Sequence, residues 1–509
     1  MNTKYLLLIL SLLVITSCND GFLERIPQDQ LSDESYWKVE DDVIKYTTSL
    51  YRYIPEPANY VILTDAYTDN AIPVHIFTNQ GAISSGTATA STGHFQEVWS
   101  KLYQGIRRCN IFFENIDKVD MTEENRNIFI GEVEFMRAFF HASLLKYYGG
   151  VPILTHSLTL NEPIPARDSA EDVYKFVIDE CNKAMEKLPI ERDDLGRATK
   201  GAAIALKAHI SFLMKDYELT ISSVEELKSL NKYSLHPDYE QLFSAEYENN
   251  KEVIFDIQFM DQSKDYVNGS WIDQYFAPGM MGGWEGLSPS QDLIDEYECL
   301  DGKSIKESPL YDESSPYENR DPRLGSTILW HGCNFAGQVY NTEGVMGNSN
   351  ATRTGYTIKK YIDPTNLGCQ FPGRINFIVY RYAEMLLDYA YAVNEISGPT
   401  EIVYEHVNMI RERVGLPNLH NGLNKEEMRN AIRHERRVEF AFEGIHMFET
   451  NSWRTTEACV EKPVYGMNSK GEKVWIETRE FDPEKQYLWA IPLNEIDLSK
   501  GTLVQNPGY

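Results

Sequence analysis

The segment over 122–148 constrains this chain more than any other. Its apolar residues fall on two adjacent helical stripes, Val133, Met136, Phe140, Leu144 and Tyr147 on one, Phe135, Ala138, Phe139, Ala142 and Leu145 on the other. Spacings of three and four mark a helix face, and a face this wide must be covered from two sides. The helix is therefore predicted inside a layered helical packing. Gly149-Gly150 ends it and Val151-Pro152 prevents its continuation. Further helices are predicted over 41–53, stopped by Pro55 and Pro57, and over 94–116, with Val98, Leu102, Ile106 and Cys109 at helical spacing. Another runs from the Ser169-x-x-Asp172 cap to 188, and the next covers 199–215, where Ala202, Ala203, Ala205 and Ala208 allow close approach. Three more cover 380–395, 401–414 and 425–443. No clean repeat period emerges, so periodicity alone leaves a tetratricopeptide-type array undecided.

Between these helices the texture changes. Residues 252–259 (EVIFDIQF) alternate in strand fashion, a short strand is predicted over 328–330, and 491–492 with 505–509 carry strand and turn signals. Residues 261–289 contain five glycines interleaved with Trp271, Tyr275, Phe276 and Trp284. A long loop is functional or disordered, and a disordered one would be poor in rings.

Lys4 and an apolar stretch over 5–15, with Ser11 its one polar residue, precede Ile15-Thr16-Ser17-Cys18. The stretch is far short of the roughly 20 residues a membrane span needs. Ile-Thr-Ser-Cys resembles a bacterial lipobox, so 1–17 is predicted to be a lipoprotein signal peptide and Cys18 the lipidated residue that holds the protein on a membrane. Asn19 follows the cysteine, so the Asp of an inner-membrane retention signal is absent. Phe22-Leu23 resume apolar character after three residues, which puts the folded body close to the bilayer.

The chain has 48 Lys and Arg against 76 Asp and Glu, a net charge of −28, and no segregated basic stripe, which argues against a nucleic-acid partner. The seven cysteines form no C-x-x-C pair, and the six internal ones read as buried free thiols. Enzyme signatures fail in turn. Asp301-Gly302-Lys303-Ser304 lacks the upstream glycine of a phosphate loop, His434-Glu435 lacks the second histidine of a zinc-protease helix, and no G-x-S-x-G occurs. A glycosidase carboxylate pair is set by distance in space, so it stays open.

Nine segments in order resemble the family of SusD, the surface glycan-binding lipoprotein of starch uptake systems, and its relative RagB. They begin with Cys18, Phe22-Leu23-Glu24 and Pro27, and continue with GEVEFMRAFFHASLLKYYGGVPIL (131–154), ATKGAAIALKAHISF (198–212) and SPSQDLIDEYECLDGKSI (288–305). NRDPRLGSTI (319–328), RYAEMLLDYAYAVNE (381–395), VNMIRERVGLP (407–417), ERRVEFAFEGIHMFETNSWR (435–454) and QNPGY complete them. His446 stands where the family usually has Arg, and Glu449-Thr450 where Asp-Leu is common. Residues 217–250, 331–370 and 455–484 match nothing in the pattern.

The resemblance implies a mainly α protein, a tetratricopeptide-like helix-pair scaffold with a loop-rich remainder and a few short strands. Residues 18–215 and 216–509 would form two regions packed as one continuous body. It implies a non-catalytic binder without cofactor, lipid-anchored at the outer membrane and facing outwards. Its partner would be a SusC-type TonB-dependent β-barrel transporter, over whose mouth it acts as a lid while capturing oligosaccharide. The run Arg433-His434-Glu435-Arg436-Arg437 alone reads as a solvated face, and the resemblance makes the charged run around Glu435 to Glu439 a structural ion-pair lattice between helices.

Sugars present apolar C–H faces and polar edges, so a site needs rings and nearby polar groups. Trp271, Tyr275 and Trp284 are the first ligand-binding candidates, with Asp69, Asn70, His75 and Phe77 from the region ahead of the Trp99 helix. Trp37 and Trp99 read as core. Asp261, Asp265 and Asp273 are oxygen ligands in principle, but they lack EF-hand spacing, and no metal is assigned. The alternatives are a RagB-type peptide binder, a glycoside hydrolase, and a helical-repeat scaffold that binds only protein.

Overall fold

The computed structural model describes residues 36–509 apart from 160, 261–268, 349, 370 and 371. The expected signal peptide, Cys18, Asp261 and Asp265 lie outside the described residues. The long helices are α1 (Glu40–Leu50), α2 (Gly93–Asn115), α3 (Glu123–Tyr148), α4 (Ala170–Lys187), α5 (Lys200–Leu213), α6 (Tyr217–Ser229), α7 (Tyr382–Ser397), α8 (Glu401–Arg413) and α9 (Lys425–Glu439). The doubly striped α3 packs α2 on one side and α4 on the other, and successive pairs α4–α5, α5–α6 and α7–α8 continue the array, with α6 and α9 also against α7. One cluster of buried apolar side chains extends from Trp37 to Leu503, and Trp99 belongs to it.

Local chemistry sets the helix starts. The Thr122, Ser169 and Thr199 side chains accept the backbone N–H three residues on, which satisfies donors the helix cannot. Contact between α2 and α3 depends on Gly105, where a Cβ would sit 2.5 Å from the buried Phe140 ring. Gly105→Ala is expected to destabilise the protein by about 1–2 kcal/mol, since overpacking outweighs the roughly 1 kcal/mol gain in helix propensity. A lowered urea midpoint checks this; an unchanged one would mean that the ring yields freely.

Several boundaries differ from the sequence expectation. Tyr380 and Arg381 do not open a helix; they finish the strand Phe377–Arg381, which pairs antiparallel with Val253–Ile257. The helix predicted to 443 stops at Glu439, because Phe442 has a φ of 65°. The unmatched stretch 217–250 contains α6, and 455–484 contains a hairpin of Pro463–Met467 and Lys473–Thr478. No strand forms at 491–492. There the Gln505 side chain accepts from Ile491 N at 2.7 Å and donates to its carbonyl at 2.8 Å, replacing a ladder partner. Of the internal cysteines, Cys109, Cys181, Cys299 and Cys369 are buried thiols, while Cys333 and Cys459 are half-buried.

The charged run of α9 enters the interior. Glu439 is paired with Arg323, Arg381 and Arg413, and Glu435 with Arg323 at 2.6 Å and Arg411 at 3.0 Å. Arg381 also meets Glu252 at 2.9 Å and Glu443 at 2.7 Å, and Lys360 meets Glu443 at 2.8 Å. Burial alone would raise the Glu439 carboxyl, but its arginines outweigh that and hold it well below the usual range. Glu435 is lowered in the same way by Arg323 and Arg411.

A second buried group behaves oppositely. On α7, burial pushes the Glu384 carboxyl up to about 8 and raises Asp388 as well, with His209 Nδ1 2.6 Å from Glu384 and Arg436 2.7 Å from Asp388. Burial also raises Asp65, Asp256 and Asp273 to about 6. A carboxyl with a raised folded pKa binds more protons folded than unfolded, so its contribution is full below about pH 4 and lost as pH rises through the folded value. The depressed Glu435 and Glu439 contribute above about pH 4, and that is lost on further acidification. Burial lowers the pKa of His141, His209 and His406, whose contribution rises with pH up to about 6.5 and opposes that of the carboxyls, so the melting temperature is expected to fall from about pH 6.5 to pH 8. Glu384→Gln, which keeps the protonated shape, should recover about 1–2 kcal/mol at pH 8, or roughly 2 °C. Equal pH profiles for the two proteins in scanning calorimetry would contradict this.

Candidate ligand-binding site

Two distant stretches of sequence meet through a short antiparallel ladder. Ala71–Pro73 pairs with Leu287–Pro289, with Ala71 opposite Pro289 and Pro73 opposite Leu287. Val74 N extends the contact by donating to the Gly286 carbonyl at 3.1 Å. His75 is thereby carried to the end of the ring-rich loop.

The loop is held in place by its own backbone. Ile272–Phe276 forms a short helix, Gly286 N donates to the Tyr275 carbonyl at 2.7 Å, and Trp284 N donates to the Gln274 carbonyl at 2.9 Å. Gly283 permits this fold-back, since a Cβ there would lie 2.1 Å from the Ala277 carbonyl oxygen. Glu285 ties the loop to a neighbouring segment. Its carboxylate accepts from Gly279 N at 2.7 Å, Thr352 N at 2.6 Å and the Tyr340 hydroxyl at 3.2 Å.

The rings stand in sequence. Trp271 and Tyr275 meet edge to face at 6.2 Å, and Tyr275 and Trp284 at 5.1 Å. All three are half-buried, so their faces are partly open. A cavity of about 450 Å³ is lined by Tyr275, Trp284, His75, Thr78, Gln80 and Asn350, among others. No carboxylate is among the described residues lining it. Burial lowers the His75 pKa and so favours the neutral imidazole, which has one nitrogen to donate and one to accept. Trp271 opens on an adjoining cavity of about 610 Å³ that also reaches Glu56, Lys101 and Phe259.

The other candidates are placed differently. Asp69 and Asn70 are buried at 5% and 0% exposure and are committed to the lattice. His446 Nε2 lies 2.9 Å and Arg437 Nη2 3.2 Å from the Asp69 carboxylate, while Asn70 donates to Asp65 at 2.7 Å and accepts from Arg437 at 2.9 Å. As ligand-binding residues they are corrected: their polar atoms are already satisfied inside. Phe77 is 98% exposed on a tip outside the cavity lining. The altered corner at 446–449 is explained by the same packing, with His446 on Asp69 and Glu449 on Arg436. Asp273 is also internal, accepting from Asp363 N at 3.0 Å and Asn366 Nδ2 at 2.7 Å. Thr78, Gln80 and Asn350 were not among the sequence candidates; isolated polar residues in loops and one-turn helices carry no pattern that separates lining from surface.

The family model described as the SusD family matches residues 251–509, and a second, described as starch-binding associating with the outer membrane, matches residues 21–212. The SusD-like protein P38 of Formosa agariphila is 27% identical over 501 residues, which cover 91% of this chain and 93% of that protein. The crystal structure of a SusD-like protein from Bacteroides fragilis superposes with a TM-score of 0.84 at 31% identity, covering 95% of this chain and all of that one. A SusD-like carbohydrate-binding protein from the same species gives 0.84 at 27% identity, covering 91% and 99%.

Proposed function

The chain belongs to the SusD family, and on that premise we propose that it captures oligosaccharide at the cell surface without cleaving it. The reading is carried by the convergence of Tyr275, Trp284 and His75 on one cavity. Aromatic faces suit the C–H faces of sugars, and a neutral imidazole with Thr, Gln and Asn side chains suits their hydroxyls. A glycosidase would need two carboxyl groups across the bond it cuts, and this cavity's described lining offers none. The carbohydrate-binding relative of similar fold supports the same reading. Cys18 is the anchor in this proposal, holding the protein on the outer membrane facing outwards, where it serves as lid and receiver for a SusC-type TonB-dependent transporter. Among the described residues no helix is long and apolar enough to cross a membrane.

Calorimetric titration with a panel of oligosaccharides, followed by a reducing-end assay of the recovered ligand, tests the proposal. Saturable heat with no new reducing ends is expected. Release of reducing sugar would make the protein a hydrolase.

A further inference from the structure

On α2, Glu97, Lys101, Gln104, Arg108 and Ile111 are spaced by four, three, four and three residues, so they form one stripe. In the sequence such a stripe reads as a solvated face. In the structure it forms one wall of a groove of about 880 Å³, whose other wall is Tyr46, Ser49, Arg52 and Tyr53 from α1 and the turn after it. Tyr60 stands at the same groove, with Lys101 Nζ 5.6 Å from its ring centre, and the Arg108 guanidinium lies 6.0 Å from the Tyr46 ring.

Three cations therefore face one groove, Lys101 and Arg108 from one wall and Arg52 from the other. Among the described residues neither Arg52, Lys101 nor Arg108 forms an ion pair with a carboxylate, whereas the buried arginines around Glu435 and Glu439 are all paired. Glu97 is the one acid lining this groove, and its described ion-pair partner is His94 at 3.8 Å. Lys101 is half-buried, and burial lowers its pKa against the opposing pull of Glu56, so it bears a desolvation cost that is only partly offset. In a chain of net charge −28 such a local excess is an attractive spot on a repulsive surface, and anions would be focused there. Arg52 and Lys101 also line the adjoining cavity that ends at Trp271. The cationic groove thus runs into the ring series Trp271, Tyr275, Trp284.

We propose that this groove is a second subsite, which takes the carboxylate or sulfate groups of an anionic saccharide on Arg52, Lys101 and Arg108 while tyrosines flank its rings. Guanidinium forks match both oxyanions, and an ammonium between them supplies charge at a third point. The inference rests on the glycan-capture reading and narrows it to acidic glycans that lie along the track from groove to rings.

Matched pairs of probes test it on the purified protein: oligogalacturonate against its methyl ester for carboxylate, and dextran sulfate against dextran for sulfate. In 50 mM salt the charged member of one pair is expected to bind at least about tenfold more tightly, with the preference weakened at 0.5 M salt. Which pair responds tells carboxylate from sulfate. The triple variant Arg52→Gln, Lys101→Gln, Arg108→Gln should lose the preference while keeping a cooperative melting transition, since the contacts of Lys101 and Arg108 are with Glu56 and the groove's own tyrosines and not with the buried lattice. If that variant keeps the preference, or if neither charged probe binds better than its neutral partner, the subsite is overturned. Glycan capture would still stand where a neutral probe binds and Trp284→Ala removes it; no binding by any probe would remove both.

Discussion

Glu439→Gln should lower the stability of the protein by about 3–5 kcal/mol, the cost of breaking a buried ion pair from one side. Glu439 is fully buried and is shared by Arg323, Arg381 and Arg413. A neutral amide leaves the hydrogen-bonding outline in place but removes the charge that compensates three guanidinium groups. They remain desolvated: Arg323 keeps Asp321 and Glu435, and Arg381 keeps Glu252 and Glu443, but Arg413 is left with Glu252, which it shares with Arg381, and Lys360 competes for Glu443. The loss matters because the lattice joins parts of the chain far apart: Arg323 follows the irregular segment ahead of it, Arg381 closes a strand, Arg413 ends α8 and Glu439 ends α9. Urea unfolding checks it. A midpoint equal to that of the parent would show that the arginines find other partners at little cost.

Trp284→Ala is expected to weaken glycan binding about tenfold to a hundredfold without unfolding the protein. Covering a ring of this size on binding contributes roughly 1.5–3 kcal/mol, and 1.4 kcal/mol is a factor of ten in affinity. The fold should tolerate the loss because the ring is half-buried, and the loop is held by the Gly286–Tyr275 bond and by Glu285, neither of which uses the indole. Trp271→Ala should also weaken binding, through the edge contact that supports Tyr275 and through the adjoining cavity. Phe77→Ala makes the contrast, since that ring stands outside the lining and its removal should leave affinity alone. Titrations of the three variants side by side decide it. Equal affinities for parent and Trp284→Ala would remove this tryptophan from the site.

What could be read from the residues follows from range. The double stripe of α3 is local, repeating within a few residues, so both its helical form and its two-sided burial were legible. Trp284 and Tyr275 were legible as candidates because rings in a glycine-rich loop have few core positions to fill. His75 entered through the family resemblance, and the strand pairing of Ala71–Pro73 with Leu287–Pro289 is the reason it stands near them. Asp69 and Asn70 look like surface polar residues until their partners are known, and those lie 377 and 367 residues away at His446 and Arg437. The burial of Arg436 and Arg437 carries no local mark, since a charge run does not show its distant carboxylates, and the family resemblance is what points to an ion-pair lattice there. Lys101 and Arg108 were passed over because a polar helix stripe looks the same whether it faces bulk water or a groove, and Arg52 because a single charge in a turn carries no pattern at all.

A crystal structure with an oligosaccharide retained in the calorimetric panel tests glycan capture at this site most directly. The expected result is a sugar ring with its C–H face against Trp284 or Tyr275 and its hydroxyls within hydrogen-bonding distance of His75, Thr78, Gln80 or Asn350. A sugar seated away from both rings, or a peptide filling the cavity in its place, would contradict it.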